Sequence, residues 1–523
     1  MKYKPTIGLE IHVELKTKTK MFCGSLNDPN EKRPNVNVCP VCMGHPGTLP
    51  VINQEAVRKV LICGKAIKGN LAECSQFDRK NYFYPDLPKG YQISQYKFPL
   101  VEGGELNGIK ITRIHLEEDT GRLAHAKDGS SSLVDFNRAG VPLMELVTEP
   151  CIESGEQAKK FAEELQLILR YLDISDADME KGQMRVEVNI SLAENISGGG
   201  IGKLTSLRTD EEGNPTEVKF SNSSAKLGTK VEIKNLNSFR SVERSVNYEI
   251  ERQTAVLEAG EKVKHETRGW NEGTQKTFSQ REKETARDYR YFPEPDLPQL
   301  KISELGFDLS LPELPSEKRK RFKEKYGLKD EQIEIFVRDI SLGKFFESVI
   351  INLKNENGRK LTSLRTDEEG NPTEAELPSI FTEKELIPLV SNYIVSDLTG
   401  LMKEKNVSID NLKINPEMFA KLVGMAANGA ISSRGAKDVL KIMFEKGGDP
   451  EKIVEEKGLA QTSDNSFIKN IVGEVIKNNP AVAEDFKGGK ENVLQFLVGQ
   501  GMKLSKGKAN PGVLQKLLKE KLQ

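Results

Sequence analysis

The chain is poor in the residues that several kinds of protein depend on. Six cysteines in 523 residues are far too few for a disulfide scaffold. No apolar run approaches the roughly 18 residues of a membrane-spanning helix, so no membrane association is expected. Neither sign of charge is in excess, with 77 Lys and Arg against 78 Asp and Glu and a formal net charge of -1. No global basic field therefore marks a nucleic-acid binder, and any polyanion must be met by local patches. A phosphate loop of the form G-x-x-x-x-G-K-[ST] is missing, as is a glycine-rich dinucleotide fingerprint after a strand. A nucleotide, if bound, is expected on a sheet, through a carboxylate-held metal. The opening Met1-Lys2-Tyr3-Lys4-Pro5 lacks the apolar core of a secretory signal and the Arg- and Ser-rich pattern of a transit peptide. The expectation is a soluble cytoplasmic protein, or an organellar one already processed.

What is present is unevenly placed. The length allows about two to four domains, and 37% apolar residues are enough for real cores. All six cysteines (Cys23, Cys39, Cys42, Cys63, Cys74, Cys151) precede residue 152, and no Cys or His follows His265. Metal or nucleophile chemistry thus belongs to the N-terminal half. That half reads as strands. From Thr6 to Leu15, Ile7, Leu9, Ile11, Val13 and Leu15 alternate with Gly8, Glu10, His12 and Glu14, and the same period recurs over Met184–Ser191 and Lys230–Lys234. Such alternation predicts an antiparallel sheet with one face on a core. Ser154 and Ser238 are expected to cap two helices, the second stopped by Gly260. Prolines around Tyr289–Pro298 suggest a boundary, and beyond it the periodicity is helical. We expect an α+β chain divided into 1–292, 293–410 and 411–523. The segment from Gly501 onward, with six Lys and one Glu, is a local basic patch. One fifteen-residue segment occurs twice, at Lys203–Glu217 and Lys360–Glu374. Its Glu-Gly-Asn-Pro core reads as a turn between short extended arms, an inserted surface hairpin in each half.

The polar face of Thr6–Leu15 carries the chemistry. Strand residues two apart share a face about 6.6–6.8 Å apart, so Glu10 and His12 project together. Hard cations such as Mg²⁺ take carboxylate oxygens. Arg113-Ile-His-Leu-Glu-Glu-Asp119 ends a strand in an acidic cluster. Glu145 sits inside the apolar run Leu143–Val147, and a buried carboxylate is costly unless paired or metal-bound. Arg185, Glu187, Lys230, Glu232 and Lys234 decorate further strands, the mixture that a nucleotide–metal site needs: carboxylates for Mg²⁺ and Lys or Arg for phosphates. Asp78–Ser94, dense in tyrosine and charge, could be a substrate loop. Cys39-Pro-Val-Cys42 is a C-x-x-C knuckle to which Cys23 could add a third thiolate. A closed zinc site takes four ligands, leaving His45, Cys63 or Cys74 open as the fourth.

These segments, Gly8-Leu-Glu-Ile-His-Val-Glu-Leu15, Asp78–Gln95, His115–Gly121, Asp135–Pro150, Lys230–Phe239 and Asp288–Pro298, together with Phe496–Pro511, resemble the signature blocks of the GatB family, the B subunits of aspartyl/glutamyl-tRNA(Asn/Gln) amidotransferases. The resemblance implies a cradle-shaped catalytic domain related in mechanism to glutamine synthetase, then a helical domain and a YqeY-like tail that grips tRNA. It implies a two-step reaction on Glu-tRNA(Gln) or Asp-tRNA(Asn). ATP phosphorylates the side-chain carboxylate, and ammonia from a GatA amidase subunit, with GatC as a small clamp, displaces the phosphate. It further implies that Glu10, His12, Glu118 and Glu145 bind Mg²⁺, that Lys80 stands beside the substrate, and that Lys234 and Asn235 contact the nucleotide. The chain departs from the family pattern at Ser25, where a fourth zinc-knuckle cysteine is usual, and at Glu187, where Asp is common. Two other readings compete: a small-molecule ATP-dependent carboxylate–ammonia ligase, and a tRNA-binding scaffold with an inert acidic face.

Overall fold

A computed structural model describes residues 2–522 apart from 127, 195–226, 283–288, 361–364, 367–371, 374–382, 462–464, 489 and 506. The chain divides into two compact units, Met1–Pro315 and Ser316–Gln523. Among the described residues no helix is long and apolar enough to cross a membrane.

The first unit is a ten-stranded sheet with helices on one face. Its main elements in chain order are β1 (Tyr3–Glu14), α1 (Gln54–Ala66), β2 (Asp78–Asn81), β3 (Tyr91–Ser94), β4 (Ile109–Glu118), β5 (Pro142–Thr148), α2 (Gly155–Tyr171), β6 (Met184–Glu194), β7 (Val231–Leu236), α3 (Phe239–Glu258), β8 (Glu266–Asn271), β9 (Lys276–Glu282) and β10 (Phe292–Pro293). The large sheet runs β9-β8-β7-β6-β1-β5-β4 and ends in the short strands Val101–Glu102 and Asn70–Leu71. Neighbours are antiparallel, as the alternation predicts, except β7 and β8, which pair in parallel. That exception follows from α3, which crosses over between them, because parallel strands need such a connection. Ile7, Leu9, Ile11 and Val13 of β1 are fully buried or nearly so, against Val57, Val60 and Leu61 of α1, Phe161 and Leu165 of α2 and Val242 and Val246 of α3. The caps form as read. Ser154 Oγ accepts from Gln157 N at 3.2 Å and Ser238 Oγ from Ser241 N at 3.1 Å, and Gly260, at φ +76°, follows the end of α3.

A second, three-stranded sheet, β10-β2-β3, holds the substrate-loop candidate. Here the expected boundary at 292 fails. Phe292 pairs with Arg79, and the Arg79 guanidinium donates two 2.7 Å hydrogen bonds to the buried Glu294 carboxylate. The prolines therefore end regular structure without ending the unit, which continues to Pro315.

The second unit is helical. Its first helices, α4 (Pro315–Tyr326), α5 (Asp330–Arg338) and α6 (Ile340–Lys360), meet through stacked and edge-on rings of Phe322, Tyr326, Phe336 and Phe346. The last helices close on Ile468, Val472, Val475, Leu497, Leu514 and Leu518. In the second copy of the repeat, Arg365 pairs with Thr373 and Thr366 with Pro372, the two arms of a hairpin. The first copy lies outside the described residues.

Candidate active site

Register on the large sheet decides which side chains meet. His12 of β1 stands opposite Glu145 of β5 on one side and Arg185 of β6 on the other. Glu145 in turn faces His115 of β4. Directly opposed residues share a face, so Glu10, His12, His115, Glu117, Glu145, Arg185 and Glu187 all project from the face away from the helices. His12 Nε2 lies 3.2 Å from Glu145, 3.8 Å from Glu117 and 3.9 Å from Glu10. His115 Nε2 is 3.5 Å from Glu145 and 3.7 Å from Glu117. Ser94 Oγ donates to Glu117 at 3.0 Å, and Arg113 approaches Glu145 at 3.9 Å. Ligand atoms of Glu10, His12 and Glu145 lie within 4.8 Å of one another, as do those of His115, Glu117 and Glu145.

Glu118, expected in this cluster, is not there. One residue beyond Glu117, it points to the opposite face of β4. Its carboxylate accepts 2.6 Å from Lys89 Nζ and 2.9 Å from Ile93 N. The period of two puts Glu117, not Glu118, on the face of His115. Sequence reasoning passed over Glu117 and His115, although counting in twos from His115 selects them. Lys80 arrives from β2 with its charge directed at Glu117 and Glu145, while its neighbour Arg79 turns the other way to Glu294. Lys80 Nζ lies 5.2 Å from the Tyr289 ring. Tyr82, Tyr289 and Lys234 join Lys80 in lining an open cavity of about 570 Å³.

Of the residues expected to contact a nucleotide, Lys234 and Glu187 meet. Lys234 Nζ is 2.8 Å from Glu187 and 3.5 Å from Glu232, and Thr267 Oγ1 donates to Glu232 at 2.8 Å. Asn235 is exposed and left-handed at φ +63°, where the register shifts between Val186 and Val188. This is a bulge that sets two residues of β7 against Glu187. Arg185 is turned along the face to Asp119, with Nη2 2.9 Å from Oδ2.

The electrostatics follow from crowding. Burial, then Glu145, raises the Glu10 carboxyl to about 7, against the opposing pull of His12. Burial would lower the His12 imidazole, but its hydrogen bond with Glu145 and the charges of Glu145, Glu117 and Glu10 lift it to about 9. Burial would raise Glu145, yet His115, His12 and Lys80 hold it well below the usual carboxylate range. Glu117 is held low against burial by His115 and Lys80. Burial likewise opposes the Lys80 ammonium, which Glu117, Tyr291 and Glu145 keep above its ordinary value. The face can hold a hard cation with carboxylates and present one lysine to an anionic substrate.

The other expected metal site is elsewhere. Sulfur atoms of Cys23, Cys39 and Cys42 lie within 4.8 Å of one another, and among the described residues no fourth His, Cys or carboxylate completes that group. Of the open fourth-ligand choices, Cys63 is buried on the core face of α1 and Cys74 is exposed. His45 lines the same small cavity as Cys23 and Cys42 without joining them.

Comparison with known proteins adds a family. Residues 5–307 match a family model described as the GatB/GatE catalytic domain, and residues 379–522 match one described as a GatB domain. Proteins named as the B subunit of aspartyl/glutamyl-tRNA(Asn/Gln) amidotransferase are similar over the full length of both chains. That of Persephonella marina is 42% identical over 534 residues, and those of Caldicellulosiruptor bescii and Thermotoga maritima are 40% identical.

Proposed function

The chain belongs to the GatB/GatE family, and from that membership we propose that it acts as the B subunit of a tRNA-dependent amidotransferase, a glutamine-hydrolysing, ATP-dependent carbon–nitrogen ligase. It phosphorylates the side-chain carboxylate of Glu-tRNA(Gln), Asp-tRNA(Asn) or both, and joins ammonia to the activated carbonyl to give Gln-tRNA(Gln) or Asn-tRNA(Asn). The order has a chemical reason: a free carboxylate resists ammonia, whereas phosphate is a good leaving group. The observation that carries this reading is the convergence of Glu10, His12, Glu117 and Glu145 on one polar sheet face beside Lys80.

That donor set fits Mg²⁺, because carboxylate oxygens dominate it and the ligand atoms of Glu10, His12 and Glu145, and of His115, Glu117 and Glu145, each gather within 4.8 Å of one another. Bound there, Mg²⁺ supplies charge neutralisation at a transferred phosphoryl group. Glu10, His12, Glu117 and Glu145 hold the ion, while His115 and Ser94 orient Glu145 and Glu117. Lys80 orients the substrate carboxylate. Lys234, kept in place by Glu187 and Glu232, meets the ATP phosphates, with Arg185 and Asn235 on its flanks. The sheet with its polar open face is read as the glutamine synthetase-like cradle, running to Pro315. A helical part to residue 410 and a YqeY-like tail over 411–523 follow. The exposed Lys503, Lys508, Lys516, Lys519 and Lys521 of the tail suit a tRNA backbone. Ammonia comes from a GatA amidase subunit clamped by GatC. The relatives are each named as one subunit of an amidotransferase, which supports a complex of this kind. The setting is cytoplasmic.

The test is co-expression with amidase and clamp partners and assay on both misacylated tRNAs with ATP. Amide formation on at least one is expected. Turnover of free glutamate with none on either tRNA would favour a small-molecule ligase and overturn the reading.

A further inference from the structure

Three cysteines converge in a corner of the first unit that the proposed amide chemistry does not use. Cys39 and Cys42 bracket a turn closed by Met43 N–H donating to the Cys39 carbonyl at 3.0 Å. Cys42 Sγ lies 3.9 Å from Cys39 Sγ and accepts from Cys39 N–H at 3.1 Å. Cys42 is buried, whereas Cys39 is half-exposed. Beside them stands Lys20, with no exposed surface. Its Nζ is 3.7 Å from Cys42 Sγ and 3.2 Å from the Phe136 carbonyl oxygen.

These residues do not fit a closed zinc site. Three sulfurs supply three of the four ligands that such a site takes, and the fourth neighbour of Cys42 is Ser25 Oγ at 4.0 Å. A dication would have to sit against the buried Lys20 side chain, whose Nζ lies 3.7 Å from Cys42 Sγ.

We propose that Cys39 and Cys42 form an oxidisable dithiol that exchanges with low-molecular-weight disulfides of the glutathione class, with the buried Cys42, beside Lys20, as the resolving cysteine. The accessible Cys39, on losing its proton, attacks one sulfur of the external disulfide. Its S–S bond breaks, and one reagent thiolate departs and takes up that proton. Cys42, on losing its own proton, then attacks Cys39 Sγ in the mixed disulfide. The Cys39–Cys42 bond forms, and the second reagent thiolate leaves and takes up that proton. The two cysteines lose two electrons, and the reagent disulfide is reduced to two thiols. The 3.9 Å sulfur separation requires only a small movement for bond formation at about 2.05 Å.

The experiment uses the purified full-length chain, its zinc content measured, equilibrated with graded ratios of oxidised to reduced glutathione. Thiols are then alkylated and the disulfides mapped by mass spectrometry. The expected result is sub-stoichiometric zinc and loss of two thiols in one step, located in a Cys39–Cys42 peptide. Cys42→Ser should trap one glutathione on Cys39, and Cys39→Ser should take up none at Cys42. Lys20→Met should slow the second step at least tenfold and accumulate the mixed disulfide. If that variant misfolds, the Cys42→Ser trap decides the matter by itself. One equivalent of zinc that shields the thiols would overturn the proposal. So would oxidation that joins Cys23 instead of Cys39 to Cys42.

Discussion

Protons and Mg²⁺ should compete for the carboxylate–imidazole cluster, and the competition can be worked out from its crowding. With Glu10 raised to about 7 and His12 to about 9, the metal-free site at pH 7 carries a proton on nearly every His12 and on about half of the Glu10 side chains. Both must be free to ligate, so binding at pH 7 should release about 1.5 protons. Affinity must rise with pH, since each raised group protects its proton up to a higher pH than usual. Between pH 6 and pH 8 the two titrations together predict a gain of about 900-fold, or roughly 4 kcal/mol. The same two groups at their ordinary values would give about fourfold. Isothermal titration of the reconstituted complex with Mg²⁺, in buffers of different ionisation enthalpy, measures both the slope and the proton count. A gain below tenfold, or release of fewer than about 0.3 protons at pH 7, would show that Glu10 and His12 do not hold the ion.

Four variants test other parts of the reading. Glu117→Gln should weaken Mg²⁺ binding by about 10- to 100-fold, whereas Glu118→Gln, on the opposite face of β4, should leave it within about twofold; equal effects would undo the assignment by strand parity. Glu145→Gln removes the carboxylate common to both clusters, and amide formation in the complex should fall by at least about 100-fold with tRNA binding retained, as steady-state turnover and filter binding would show. Replacing the exposed Lys516, Lys519 and Lys521 with Glu should weaken tRNA binding and lower its salt dependence by up to about two to three units of slope; an unchanged slope would remove the last helix from the interface.

How much of this is legible in the sequence follows from period and contact range. The two-residue alternation of β1 and β6 marks both faces of the sheet and by itself puts Glu10 with His12. Ser154, Ser238 and Gly260 mark helix ends because capping is local. Long-range pairing is what the sequence withholds. Nothing in Leu143–Val147 says that Glu145 lies between His12 and His115; that depends on a register linking residues more than 100 apart. Glu118 is misplaced when resemblance is followed, whereas parity along β4 selects Glu117. The boundary at 292 is misplaced for a related reason. Prolines announce the end of regular structure, but the hydrogen bonds from Arg79 to Glu294 that retain the segment join positions 215 apart. The parallel β7–β8 pair needs the crossover of α3, which alternation alone does not reveal.

The placement of the cluster also explains why so polar a face is compatible with the fold. Glu117 and Glu145 are only 2% and 4% exposed, and an uncompensated buried carboxylate costs several kcal/mol. Two imidazoles, Lys80, Arg113 and Ser94 offset part of that cost, while Glu10 is pushed towards its neutral form, chiefly by burial, and His12 towards its charged form, so the metal-free cluster holds protons that a cation must displace. The opposite face of the same strands, with Ile7, Ile11 and Ile114 wholly buried against three helices, supplies the packing that keeps the carboxylates from relaxing apart. A site on strands held this way is rigid, and a divalent ion that enters takes the place of the protons on Glu10 and His12. The protons held by the metal-free face and its affinity for a cation are then linked, which is why the pH slope of Mg²⁺ binding reports on the site more directly than activity does.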